Sequence, residues 1–272
     1  MNKTNDYTDV KKIFIDGGVF DYVNLDKSAI AYDKLVQTLK KPLKIILFFG
    51  RPGIGKTFLL QKIYNDLKGK GGIIFFPRPF FDEKEFVKSL YEELFMETSP
   101  NFSGYDEFLS IVSKRLDKDA PPISVLIDEA QLYPDDLIEK IRLMADSRRF
   151  KFLFTIHKTE KEDILAKDYF TTRIWETIEL YPLSLGEVQT YIEKKLLYHN
   201  KFEHLNLFKN CHYKLIMQLT QGNLRNTNKL MYKVFEILEY YDENKPSRLS
   251  SRAINKKYIE MAALSLGMIH NA

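Results

Sequence analysis

The run Gly50-Arg51-Pro52-Gly53-Ile54-Gly55-Lys56-Thr57 fits the pattern G-x-x-x-x-G-K-[ST], whose chemistry is phosphate binding. Its glycines let the backbone turn tightly, so that several N–H groups converge on one anion. Lys56 is placed to reach β- and γ-phosphates, and the Thr57 hydroxyl suits Mg²⁺. Further along, Ile123-Ser124-Val125-Leu126-Ile127 runs into Asp128-Glu129-Ala130-Gln131. Mg-ATP hydrolysis calls for an apolar strand that ends in two adjacent carboxylates. Asp128 would join the Mg²⁺ shell, and Glu129 would orient and polarise the attacking water. An acidic turn after a strand is commonplace by itself. The phosphate loop upstream is what gives this one a catalytic reading.

These residues need elements to hold them. Leu43–Phe49 is an almost unbroken apolar run of strand length, as a buried parallel strand requires. After the loop, Phe58, Leu59, Ile63 and Leu67 recur at helical spacing, which puts the loop on a helix N-terminus with its dipole facing the anion. Strands are predicted at Lys44–Phe49, Gly72–Pro77, Ile123–Ile127, Lys151–Ile156 and Thr177–Leu180. Helices are predicted at Ser28–Leu39, Lys56–Leu67, Asp82–Met96, Tyr105–Leu116 and Pro134–Ala145. The alternation predicts an α/β fold with a five-stranded parallel sheet between helical layers. After Tyr181-Pro182 no strand signal returns, and helices are broken at Gly222-Asn223 and at Asn244–Ser251. The expected division is a nucleotide-binding domain over 1–182 and a smaller helical domain over 183–272.

Composition sets the outer limits. The chain has 272 residues, 44% hydrophobic and 29% charged, and no apolar run approaches the ~18–20 residues that span a bilayer. A single cysteine, Cys211, excludes an internal disulfide and a cysteine-built metal site, and it is expected to be a buried spectator. Five histidines form no zinc-binding cluster. From Tyr181 onward 13 Lys/Arg face 8 Asp/Glu, a local excess of +5 in a chain of net +4. Such a basic region can face a phosphate backbone or an acidic partner, or can simply be solvated helix surface. Phe80 and Phe81 are read as packing residues, since the aromatic–aliphatic–Gly triplet of a substrate-threading loop is missing.

With both motifs in view, the chain resembles the AAA+ ATPases. The Asp-Glu-Ala-Gln ending is shared with the branch that holds the ExeA-like secretion and pilus ATPases, the TniB-like transposition ATPases and the Orc/Cdc6-type initiators. The resemblance spans about residues 20–265 and implies a P-loop NTPase αβα core with a C-terminal α-helical lid. It also implies roles for further residues. The fourth strand, Lys151–Ile156, runs straight into His157, which by the resemblance takes the sensor 1 position beside the catalytic water, with Thr155 as the other candidate. The family more often has Asn, Gln, Ser or Thr there. Thr171-Thr172-Arg173-Ile174 lies where the family keeps an arginine finger, which makes Arg173 the residue lent to a neighbouring subunit, or else one half of an internal ion pair. Gln221-Gly222-Asn223-Leu224-Arg225 resembles the sensor 2 segment, and Arg225 would reach the γ-phosphate. Tyr22-Val23-Asn24 and Pro182 should flank the adenine, with Phe58 following the phosphate loop.

The resemblance implies a cytoplasmic, Mg²⁺- and ATP-dependent ATPase, active as a homo-oligomer, that drives conformational switching or assembly of a partner complex. An ExeA-like accessory role in secretion, pilus or DNA-uptake machinery is the first expectation, with contact to the inner membrane only through a partner. An ATP-dependent, DNA-binding regulator of the TniB type is the alternative. A nucleotide-gated scaffold that barely hydrolyses ATP is a third. A small-molecule kinase fits less well, because the paired Asp128-Glu129 suits attack by water.

Overall fold

The computed structural model describes residues 7–15, 22–69, 72–117, 119–158, 173–249 and 253–269. It divides into two compact units. One comprises Ile30–Pro52 and Lys56–Leu180, the other the chain up to Ala29, the tip Gly53–Gly55, and Tyr181–Ala272.

The chain begins with α1 (Tyr7–Ile13), followed by α2 (Asp26–Lys40), which runs into the sheet unit. That unit continues β1 (Ile45–Gly50), α3 (Lys56–Leu67), β2 (Ile73–Phe76), α4 (Glu83–Phe95), α5 (Tyr105–Arg115), β3 (Ile123–Ile127), α6 (Asp135–Asp146), β4 (Phe150–His157) and β5 (Ile174–Glu179). All strand pairs are parallel, in the order β2-β3-β4-β1-β5. Every residue of β1 and β3 is buried, as a sheet covered on both faces demands. The core joins Leu47, Val125, Phe152 and Phe154 of the sheet to Phe86, Leu90, Phe108 and Ile141 of the helices.

Helix and strand positions agree closely with the apolar periodicity; β3 and α3 have the expected bounds. The fifth strand is longer than expected and starts at Ile174, because Trp175 and Glu176 interrupt the apolar pattern on an edge strand that is only partly covered. Asp82 caps α4, its Oδ1 accepting from the N–H groups of Lys84 and Glu85 at 2.9 and 3.0 Å. Phe80 packs edge-on against Phe76 at 5.1 Å and Phe86 at 5.5 Å. Phe81, expected to pack as well, is exposed.

The helical unit contains α7 (Leu185–Tyr198), α8 (Asn210–Thr220), α9 (Leu224–Asn244) and α10 (Lys256–Ser265). Its core gathers Val188, Ile192, Tyr213, Phe235, Leu238 and Tyr258. Helix α1 belongs to this core although it precedes the sheet in sequence. Val10 and Phe14 are buried, and the Phe14 ring stacks on Phe235 at 5.7 Å. Lys11 and Thr8 bond the Glu239 carboxylate. Gly222, at φ +69, makes the turn into α9: its carbonyl accepts from Leu183 N–H at 2.9 Å, and a Cβ there would lie 2.2 Å from Leu183 O. Cys211 is exposed, contrary to expectation, because it lies on the outer face of the first turn of α8.

Candidate functional site

Sheet order and register assemble the site. Strand β4 lies between β3 and β1, so its tip touches the ends of both. Gly50 pairs with His157 across β1–β4, and Ile127 pairs with Phe154 across β3–β4. Residue 128 therefore meets residue 155, and residue 157 comes up beside the phosphate loop.

The loop turns with positive φ at Gly53 (+77°) and Gly55 (+100°). Arg51 and Pro52 are exposed, Ile54 is buried, and Phe58 is partly buried in the first turn of α3. Lys56 is buried, its ammonium donating to the carbonyls of Gly50 at 3.0 Å and Arg51 at 3.3 Å. A Lys side chain folded over its own loop carries its charge to where the loop N–H groups converge.

Beside it stands a string of short hydrogen bonds. Thr57 Oγ1 donates to Asp128 Oδ2 at 2.6 Å. Asp128 Oδ1 accepts from Glu129 N–H at 3.0 Å and from the Thr155 hydroxyl. Thr155 Oγ1 in turn accepts from Glu129 N–H at 3.0 Å. Asp128 and Thr155 are buried, so the aspartate finds its hydrogen-bond donors in these groups rather than in water. Thr57 Oγ1 and Asp128 Oδ2 are adjacent hard oxygens and fit one edge of a Mg²⁺ shell that phosphate and water oxygens would complete.

Glu129 has left-handed backbone, φ 51° and ψ 44°, and opens a 3₁₀ turn at Ala130–Leu132. Its Oε2 lies 3.1 Å from His157 Nε2 and accepts from Gln131 Nε2. The two sensor 1 candidates thus divide the work in this structure. Thr155 binds the aspartate and the backbone at residue 129, while His157 meets the Glu129 side chain. Nothing in the strand pattern marked Thr155 out except that it is a hydroxyl in an otherwise apolar buried run.

Arg173 lies next to the first residue of β5, and Ile174 pairs with Ile45, at the opposite end of β1 from Gly50. Its guanidinium bonds Asp146 Oδ2 at 3.2 Å, and Lys44 and Arg142 bond the same carboxylate. Burial pushes Asp146 up, but bonds from Lys44 and Arg173 outweigh it and hold the carboxyl below its usual range. Thr171 and Thr172 lie outside the described residues.

Arg225 stands in the first turn of α9, in the helical unit, with Asn223 capping that helix by accepting from Asn226 N–H at 3.1 Å. The Arg225 N–H donates to the carbonyl of Gly53, a tip residue that clusters with this unit, at 3.0 Å. A Cβ on Gly53 would lie 2.8 Å from Asn223 Oδ1, so only glycine fits there. Tyr22, partly buried, donates to Ser28 Oγ at 3.1 Å. Lys27 ties this segment to the joint at Pro182: its ammonium bonds Pro182 O, and its N–H donates to Glu187 Oε1 at 2.9 Å. The two segments expected to flank a base are therefore stitched together within one unit.

Two residues were not singled out by sequence: Gln131, which was part of the motif but had no role, and Asp146, the last residue of α6, which carried no signal. Among the described residues no helix is long and apolar enough to cross a membrane.

Residues 40–165 match the family model described as an AAA domain. No curated protein matches the chain by sequence. Among solved structures the chain is similar to Drosophila ORC bound to DNA, at 12% identity and TM-score 0.65, covering 98% of this chain and 67% of that one. It is similar to the Aeropyrum pernix ORC2 protein in ADPNP-ADP complexes, at 14% identity and TM-score 0.59, covering 93% and 71%. Cdc6p from Pyrobaculum aerophilum gives 14% identity and TM-score 0.63, covering 85% and 66%. At these identities the likeness is one of fold.

Proposed function

This chain is an AAA+ P-loop protein with the fold of the Orc/Cdc6-related branch, and from that premise we propose that it binds Mg-ATP and hydrolyses it to switch or assemble a partner complex. The observation that carries the reading is the bonded string Thr57–Asp128–Thr155–Glu129 beside Lys56. Lys56 offers charge to the β- and γ-phosphates, and Thr57 with Asp128 holds the metal. Thr57 and Asp128 would hold Mg²⁺, whose charge would offset the negative charge that develops in transfer. Glu129 takes a proton from the attacking water. Arg225 reports the γ-phosphate to the helical unit, and Tyr22 and Pro182 flank the base.

The chain acts as an oligomer in which Arg173 serves a neighbour's site. Two observations support DNA as the partner: the similar Drosophila ORC structure is described as bound to DNA, and the region from Tyr181 carries the positive excess. That favours an ATP-dependent DNA-binding regulator over an accessory ATPase of secretion or pilus machinery. The test is the ATPase rate against protein concentration, with and without duplex DNA at several salt concentrations. Glu129→Gln should retain ATP and lose turnover, by about 10²–10⁴-fold for loss of a general base. Wild-type protein that binds ATP without turnover would sink the hydrolysis reading. Affinity for DNA that ignores ATP and salt would sink the DNA reading.

A further inference from the structure

We propose that Gln131 is a positioning residue for the attack on ATP: it clamps the Glu129 carboxylate that meets the attacking water. This rests on the ATPase reading above.

The left-handed backbone at Glu129 opens the 3₁₀ turn, and this turn brings the side chain two residues on back alongside the glutamate. Gln131 Nε2 then donates to Glu129 Oε2 at 2.5 Å, and His157 Nε2 lies 3.1 Å from the same oxygen. With both contacts on Oε2, Oε1 is the oxygen left to face a water. A carboxylate held by one edge loses rotational freedom about its last torsion, which is what a base needs to meet a water in one place.

The amide has only one sensible orientation. Turning it over would set two acceptors, Gln131 Oε1 and Glu129 Oε2, against each other. Gln131 Oε1 therefore faces away from the glutamate, and it is buried with no hydrogen-bond partner among the described residues. Buried acceptors without a donor are rare and costly, and this one lies a single side chain from the base. Asp128 and Thr155 already bond one another and Glu129 N–H, so they supply no donor to it.

In the step this arrangement supports, the water O–H toward Glu129 breaks and its proton passes to Oε1. The second proton stays on the water oxygen and leaves with the phosphate. The water oxygen bonds to the γ-phosphorus, and the bond from phosphorus to the bridging oxygen breaks. The electron pair leaves with ADP.

The test uses the full chain and three variants: Gln131→Met, of similar volume without the amide, Gln131→Asn, which keeps the amide on a shorter arm, and Glu129→Gln. Steady-state and single-turnover hydrolysis of Mg-ATP are read alongside binding of a fluorescent ATP analogue. Gln131→Met should lower kcat by roughly 10²-fold, the usual loss on removing one preorganised hydrogen-bonding group, with analogue affinity within about twofold. Gln131→Asn should lose less. Combined with Glu129→Gln, the Gln131→Met change should cost almost nothing more, because it acts through the glutamate. An unchanged or raised kcat in Gln131→Met overturns the proposal, as does a full additional loss in the double variant. Should Gln131→Met fail to fold, Gln131→Asn with wild-type kcat overturns it alone. Wild-type protein that binds the analogue but never hydrolyses ATP removes the ATPase reading itself, a result distinct from an active wild type with an equally active Gln131→Met.

Discussion

Replacing Thr155 by Val keeps the shape of a fully buried side chain and removes one hydroxyl. That hydroxyl donates to Asp128 Oδ1 and accepts from Glu129 N–H. Glu129 N–H keeps a second acceptor in Asp128 Oδ1 at 3.0 Å, so the backbone loses little. Asp128 loses one of three donors at a site with almost no water to replace it. A hydrogen bond to a charged group contributes about 1.5–3 kcal/mol, so Thr155→Val should cost about 2 kcal/mol. Thr155→Ser is the opposite trade: the hydroxyl stays, a buried methyl goes, and the cost is about 1 kcal/mol. The expected order of stability is wild type, then Ser, then Val. Ordinary apolar packing at this position would reverse the last two. Urea unfolding followed by the fluorescence of Trp175, the chain's single tryptophan and a residue of β5, reports on the sheet unit. The Val variant should also turn over ATP more slowly, since Asp128 loses a donor that orients its carboxylate. A Val variant as stable as the Ser variant would refute the reasoning.

Further outcomes follow from the same contacts. Gly222→Ala must take φ +69 and push a Cβ to 2.2 Å from Leu183 O. Left-handed strain and the lost Leu183 bond together cost about 3 kcal/mol, read as a lower melting temperature by circular dichroism. Gly186→Ala, with nothing within 4 Å of its Cβ, is the control that should melt like wild type. Acid should weaken the helical unit. Glu187 is pushed up by burial but held below its ordinary 4.5 by bonds from Ser184 and Lys27, and Glu239 is lowered by its bond from Lys11. Depressed carboxylates stabilise the fold above their unfolded values, so stability should be flat at neutral pH and fall as pH drops below ~4.5. Glu187→Gln should flatten that fall, and an equally steep loss in this variant would count against the assignment. Asp146→Asn frees Arg173 from a carboxylate partner and should steepen the rise of ATPase rate with protein concentration, whereas Arg173→Ala should abolish that rise. A wild-type rate that does not depend on concentration rules out a role for Arg173 in a neighbour's site.

Much of the sheet unit was legible because its signals are local. An apolar run, a glycine-rich turn and helical spacing lie within a few residues of each other around Gly50–Thr57, and burial of both sheet faces writes β1 and β3 as continuous apolar segments. What was illegible depends on residues far apart. Tyr7, Val10 and Phe14 have the spacing of an amphipathic helix, but only their packing on Phe235 says that the N-terminal segment joins the helical core. Asp146 looks like any residue near a helix end until Lys44 and Arg173 arrive from two other places in the chain to join Arg142, one turn back on the same helix.

The candidate site divides along the same line. Lys56, Thr57, Asp128 and Glu129 could be proposed because phosphate and metal chemistry restricts residue type and spacing. Of their supports, His157 and Thr155 were named only through the family resemblance and Gln131 had no role, since a Thr, a His and a Gln have many uses. Register supplies the missing step. Pairing Ile127 with Phe154 and Gly50 with His157 brings two residues of one strand tip to the same corner, Thr155 to Asp128 and His157 to Glu129. Sliding β4 by one residue would turn both side chains to the other face and leave Asp128 buried without its hydroxyl donor. The polar residues at the end of β4 thus fix the register of the sheet as well as the chemistry, and substitutions there should disturb stability and turnover together.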